Sequence, residues 1–390
     1  MEKPTAHQDR KFGLATRLVH SGEFGMPHGS VAVPEFSTAS YVMPDLATHR
    51  KALSQGARAG SPPQAYFYSG SYNPTITALE TKLASIESGA GALAFASGMS
   101  AITTSLLTIA AGGGHLIASD KLFVNTRNWL KNSLPAYGCD VTVVDFLDVQ
   151  QVEAAFKANT RAIYFEELSN PLLAVLDLEA LIEVAHRHGA LTIVDNTFAT
   201  PILLRPLEYG ADLVLHSATK YKSGHGRVRG GAAAARDIGL LDRIAVQRSL
   251  MGANISSHNA IGILDGLRTL EIRVNRASET TARLAMAAAH HDAVDQVNYP
   301  GLPSHQGHAL AKRLMGSRYG GMLSFSLKDR SRKADVYQAF ELFTRATSLG
   351  DTVSLVDPTD EPDVLRISTG MEDPDDLIAD LKQALDAALL

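Results

Sequence analysis

Between residues 90 and 217 short apolar runs alternate with helical patterns, and this alternation constrains the fold more than any other feature of the chain. The runs cover 92–96, 115–119, 140–145, 162–166, 191–195 and 212–216. They are mostly apolar and do not alternate strictly, as strands buried on both faces should read. The intervening helices carry end signals. Asn73 caps one, Pro74 enters its first turn, and Ile76, Leu79, Leu83 and Ile86 share a face. Asp177 caps another, with Leu178, Leu181, Ile182 and Ala185 facing a core and Gly189 after its end. Strands alternating with helices predict an α/β fold with a mostly parallel sheet.

The flanking segments read differently. Residues 1–65 are polar and loop-rich, with Ser61-Pro62-Pro63 near their end, and suggest an arm rather than a domain. Residues 66–255 form the large α/β unit. From 256 to 390 we expect a linking helix and a smaller α+β unit. Its helical region spans 254–290, its strands 321–327 and 364–368, and its last helix starts at Asp373-Pro374. A chain of 390 residues has room for about two domains. With 45% hydrophobic and 20% charged residues it is no disordered chain. A net charge of -5 gives no footing for a nucleic-acid partner. The single cysteine, Cys139, excludes an internal disulfide and suits a reducing compartment. Residues 1–17 hold no apolar signal core, so a cytoplasmic location is expected. Residues 88–119 lack charge, but eight Ser/Thr and Gly112-Gly113-Gly114 fit a buried strand–turn–helix better than a membrane span.

Four features carry candidate chemistry. Ser97-Gly98-Met99 lies between a strand and a helix, where backbone amides can hold a phosphate, although such turns also occur without ligands. Asp195 ends an apolar run, at the sheet edge where α/β proteins bind ligands or where an aspartate simply caps a turn. Ser217-Ala218-Thr219-Lys220 follows the run 212–216. A lysine there is either a solvated charge or the amine that forms a Schiff base with an aldehyde cofactor whose phosphate the hydroxyls hold. Arg366, inside Leu365-Arg366-Ile367-Ser368, suits a substrate carboxylate or a structural ion pair. The histidine pairs 186/188, 290/291 and 305/308 lack zinc-site spacing, so no metal is expected.

The ordered set of motifs resembles the Cys/Met metabolism family of pyridoxal-phosphate (PLP) enzymes. This trans-sulfuration family includes cystathionine γ-synthases, cystathionine lyases, methionine γ-lyases and O-acylhomoserine sulfhydrylases. The matching stretches include Tyr72-Asn73-Pro74-Thr75, Ser97-Gly98-Met99-Ser100-Ala101, Asn170-Pro171, Val194-Asp195-Asn196-Thr197-Phe198, His216-Ser217-Ala218-Thr219-Lys220-Tyr221, Tyr299-Pro300-Gly301-Leu302 and Ser348-Leu349-Gly350. The resemblance implies fold type I, like aspartate aminotransferase, and PLP as cofactor. It implies that Lys220 is the Schiff-base lysine that shuttles the Cα and Cβ protons. Asp195, with Thr197, would partner the pyridinium nitrogen. Gly98, Met99, Ser217 and Thr219 would cradle the phosphate. Arg366, with Asn170, Ser348 and Thr347, would hold the amino-acid substrate. Tyr68 would reach the phosphate of a neighbouring subunit in a homotetramer built as a dimer of dimers, residues 1–65 contacting that neighbour.

The chain also departs from the family pattern. Tyr68-Ser69-Gly70 lacks the usual phosphate-binding arginine, a charge that Arg227 or Arg229 is expected to replace. Phe123 stands where the family has its ring-stacking tyrosine, so the aromatic face stays and a proton donor is lost. Thr347 replaces the glutamate typical of cystathionine-handling members. The segment between Leu355 and Arg366 is short and lacks the Met-Thr-His triplet. The first expectation is γ-replacement on an O-acylhomoserine-like amino acid by a thiol or other nucleophile. The alternatives are a carbon–sulfur γ- or β-lyase giving a 2-oxo acid and ammonia, and a pathway-specialised PLP protein with altered chemistry.

Overall fold

The computed structural model describes residues 11–389 apart from 24, 56–58 and 60–64, so Ser61-Pro62-Pro63 lies outside the described residues. Seven strands form the large sheet: β1 (Gly91–Phe95), β2 (His115–Ser119), β3 (Asp140–Val144), β4 (Thr160–Glu166), β5 (Leu191–Asp195), β6 (Leu213–Ser217) and β7 (Gly231–Ala235). Their spatial order is β1-β7-β6-β5-β4-β2-β3. The block from β6 to β3 is parallel, and β7 runs antiparallel to both β6 and β1. The fold is α/β with a mostly parallel sheet, as expected.

Two apolar cores cover the two sheet faces. One gathers Leu79, Leu83, Ile163, Phe165, Val194 and Val214. The other gathers Ile102, Leu106, Tyr164, Ile193, Leu215 and Ile244. The expectation that residues 140–145 are buried on both faces is corrected: β3 is the outer strand and is half exposed. Strand β7 escapes the sequence pattern because one glycine and four alanines lack β-branched or aromatic bulk. Small residues are needed there because the helix Gly98–Ala110 starts against it. A Cβ on Gly231 would lie 2.1 Å from the carbonyl oxygen of Ser97.

At the other edge β1 is closed by side chains instead of a strand. Glu80 Oε1 accepts the Ala94 N–H at 2.9 Å, and Arg248 Nη1 donates to the Ala94 carbonyl at 2.7 Å. Glu80 and Arg248 also pair with each other at 2.5 Å. These bonds meet both outward backbone groups of Ala94 at the edge.

The second sheet has β8 (Val294–Asn298), β9 (Met322–Leu327), β10 (Thr344–Arg345), β11 (Leu355–Asp357) and β12 (Val364–Ser368), in the order β10-β11-β12-β9-β8. It has its own core of Leu323, Phe325, Val336, Leu365, Leu377 and Leu381. The predicted helical region 254–290 is two helices, Ser257–Arg268 and Leu270–Ala289, broken at Thr269. The first of them places Ile263 and Leu267 in the large-sheet core. Residues 14–23 also dock there: Leu18 is buried in that core, and Lys82 Nζ donates to its carbonyl at 2.7 Å. No described helix is long and apolar enough to cross a membrane.

Candidate active site

Strands β4, β5 and β6 end together at Glu166, Asp195 and Ser217, the carboxyl edge of the parallel block. The helix Gly98–Ala110 opens beside them. Its Ser97 capping box satisfies the Ser100 amide and its own. The amides of Gly98 and Met99, in the first turn, have no acceptor within the helix. Gly98 is tight against β6: a Cβ there would lie 2.8 Å from Ser217 Cβ. This glycine lets a helix N-terminus and a strand end meet.

A continuous hydrogen-bond chain runs from that point along the edge. The Ser217 N–H donates to Thr197 Oγ1 at 2.8 Å, and Thr197 Oγ1 donates to Asp195 Oδ1 at 2.5 Å. The Thr197 N–H adds a second bond to the same oxygen at 3.0 Å. Asp195 lies in register with Glu166 on the next strand. Glu166 Oε1 accepts the N–H of Phe123 at 2.7 Å, which sets the start of the helix Val124–Asn132. Burial raises Asp195 above the ordinary carboxylate value, against the Thr197 bonds and the charges of His216 and Lys222. Burial, and then the charge of Asp195, push Glu166 up to about 8.

Lys220 joins this edge through its backbone, whose N–H donates to the Ser217 carbonyl at 3.2 Å. Its Nζ donates to Ser348 Oγ at 2.7 Å. Burial, helped by the charge of Arg366, lowers the Lys220 amine to about 8. Arg366 is 7% exposed; its Nη1 donates to Asn170 Oδ1 at 2.8 Å and its Nη2 to the Ser348 carbonyl at 3.2 Å. Ser348 holds a left-handed backbone, φ +94, and so presents its hydroxyl to the lysine and its carbonyl to the arginine.

The structure thus brings together Gly98, Met99, Phe123, Asn170, Asp195, Thr197, Ser217, Lys220, Ser348 and Arg366. Thr219 lies in the same turn, but its hydroxyl exchanges bonds with Gly230 N–H and carbonyl at 3.1 and 3.2 Å. Thr347 is exposed beside Ser348. Tyr68 is 53% exposed and bridges to Ser40. Arg227 and Arg229 are exposed on the loop after Gly226. Sequence reasoning missed Glu166, although it ends its run as Asp195 ends the next. It also missed Asp357, whose Oδ2 lies 2.5 Å from Arg366 Nη2, and no local signal marks that pairing.

These residues fit a phosphate-bearing aldehyde with a basic ring nitrogen. The Gly98 and Met99 amides and the Ser217 hydroxyl suit the phosphate. Asp195 is a buried carboxylate whose hydrogen bonds among the described residues come from Thr197, which suits it to face a ring N–H⁺. Lys220 is an amine whose lowered pKa suits attack on a carbonyl.

Comparison with known proteins agrees with that fit. The family model for Cys/Met metabolism PLP-dependent enzymes matches residues 15–360. L-methionine gamma-lyase of Pseudomonas putida is 38% identical, over 96% of this chain and 98% of that protein. Cystathionine beta-lyase of Lactococcus lactis subsp. cremoris is 36% identical, over 96% and 99%. A Campylobacter jejuni structure, provisionally assigned as an O-acetylhomoserine (thiol)-lyase and carrying N'-pyridoxyl-lysine-5'-monophosphate, superimposes with a TM-score of 0.90. It is 31% identical, over 96% of this chain and 100% of that one.

Proposed function

Because the chain belongs to the Cys/Met metabolism PLP-dependent enzyme family, we propose that it replaces the γ-substituent of an O-acylhomoserine-like amino acid with a thiol or similar nucleophile. The observation that carries this reading is Phe123, which Glu166 fastens beside the Asp195 edge with an aromatic face and no hydroxyl. A group leaving as a carboxylate needs no proton, whereas a departing thiolate benefits from a donor.

When bound, PLP supplies an electron-accepting ring that spreads the charge left as protons leave Cα and Cβ. The chain does the rest. Gly98 and Met99 amides and the Ser217 hydroxyl hold the phosphate, while Asp195, oriented by Thr197, keeps a proton on the ring nitrogen. Phe123 covers the ring face. Arg366 and Asn170 orient the substrate carboxylate. Lys220 Nζ, steered by Ser348 Oγ, would take the proton from Cα, pass it on to the bound cofactor, and only then be free to take one from Cβ. The Cγ–O bond breaks, the acyl carboxylate leaves, and sulfur bonds to Cγ. Lys220 Nζ would move the protons back to Cβ and Cα one at a time, and the thiol's own proton is lost as sulfur bonds, so the net release is one carboxylate and one proton. Tyr68 serves the site of a neighbouring subunit in a homotetramer.

A second reading, carbon–sulfur elimination, is favoured by the full-length similarity to methionine and cystathionine lyases. The holoenzyme is supplied with O-acetyl- or O-succinylhomoserine plus a thiol, and separately with methionine or cystathionine alone. A thioether from the first mixture is the expected result. A 2-oxo acid formed from the second without any nucleophile would replace this reading with the lyase. Turnover of neither points to the specialised alternative.

A further inference from the structure

Arg366 already has an anionic partner of its own. It lies opposite Asp357 in the antiparallel β11–β12 pair, and its Nη2 meets Asp357 Oδ2 at 2.5 Å. The two side chains are 8% and 15% exposed. Asp357 is fixed in turn, because its Oδ1 accepts the Thr359 N–H at 3.1 Å. Counting Asn170 Oδ1 and the Ser348 carbonyl, three acceptors of this chain surround the guanidinium, and one is charged. Arg366 Nε remains buried with no hydrogen-bond partner.

An arginine binds a carboxylate most tightly through two parallel N–H bonds. Asp357 takes one arm of that fork and sets a negative charge where a ligand carboxylate would come. Two carboxylates within about 4–6 Å oppose each other's ionisation. Asp357 also lies between Leu355 and Arg366, the stretch that the resemblance to the family reads as short. We infer that Asp357 is a specificity-determining residue that competes with the substrate α-carboxylate for Arg366. The carboxylate then adds little to binding, and selection shifts to the rest of the substrate. This inference rests on Arg366 being the carboxylate anchor of the proposed function.

The test titrates the visible band of the PLP-loaded enzyme with L-alanine and with ethylamine, the same skeleton without the carboxylate. Neither carries a leaving group, so the result is independent of replacement or elimination. D357N keeps an acceptor for Arg366 and removes the charge, and D357S serves as a second variant. The expected result is a Kd for L-alanine about ten-fold lower in D357N, with ethylamine unchanged. The double variant D357N/R366A should lose the preference for L-alanine over ethylamine that D357N gains. L-alanine binding that is unchanged or weaker in both Asp357 variants overturns the inference. If D357N/R366A binds L-alanine as tightly as D357N does, the anchor reading falls and this inference with it.

Discussion

At Lys220 the burial of an amine sets a pH range for cofactor capture. Only the neutral amine attacks an aldehyde, and burial beside Arg366 brings its pKa down to about 8. The rate at which apoenzyme takes up PLP, followed by the visible band, should therefore rise about ten-fold per pH unit below that value and level off above it. Lys220→Ala should develop no such band, and an equally strong band in that variant would remove Lys220 from its role. Phe123 makes an opposite prediction about proton supply. Phe123→Tyr restores a donor at the ring face and should raise turnover of methionine relative to O-acetylhomoserine by about ten-fold or more. Equal effects on both substrates, measured as kcat/KM, would show that the missing hydroxyl does not select the leaving group. Asp195 and Arg366 were legible in the sequence because each ends or interrupts an apolar run, and Lys220 because two hydroxyl residues lead to it just after one. Glu166 carries the same mark, but its role depends on the register that sets it beside Asp195.

At the scale of elements, a buried charge cluster ties β6 to the helix Pro74–Ile86. Glu87, at the end of that helix, meets Lys222 Nζ at 2.9 Å and His216 Nε2 at 2.6 Å through one oxygen. Lys222 is two residues beyond Lys220, so the pair also anchors the turn that carries the Lys220 amine. Burial alone would raise Glu87, but the charges of His216 and Lys222 outweigh it and bring the carboxyl down to about 2. The folded value lies below the ordinary 4.5, so this stabilisation is fully present above about 4.5 and is lost as pH falls toward about 2. Glu87→Gln leaves Lys222 buried without a counter-ion and should cost about 3–5 kcal/mol at neutral pH. Melting curves of the two proteins should converge as the pH approaches about 2. A constant difference across that range would place the effect in packing rather than charge. The capped helices were readable from sequence: Asn73 and Asp177 cap as expected, through the Thr75 and Ala180 amides. The break at Thr269 was not, since the apolar face continues across it.

At the scale of the molecule, Tyr68 is the residue that looks outward. Its ring lies over Gly70, where a Cβ would come within 2.5 Å of Cε1, so an arginine at that position would displace it. If Tyr68 completes a neighbour's site, mixed oligomers of Lys220→Ala and Tyr68→Ala chains should contain some sites with both residues intact. Mixing the two after dissociation should then restore activity that neither has alone, and no recovery would confine each site to one chain. Local pattern was sufficient for the alternation of strands and helices, the caps, and the polar residues at strand ends. Periodicity and capping act between residues a few positions apart, and a lysine or arginine in an apolar run is conspicuous where it stands. Other features came only with the tertiary structure. The all-small strand β7 became a strand because a helix N-terminus had to reach the sheet, not because its residues favour one. Asp357 met Arg366, and Glu166 met Asp195, through cross-strand register between segments that no local rule relates. Register is decided by which apolar faces pack together, and that is settled only when the whole chain has closed on its cores.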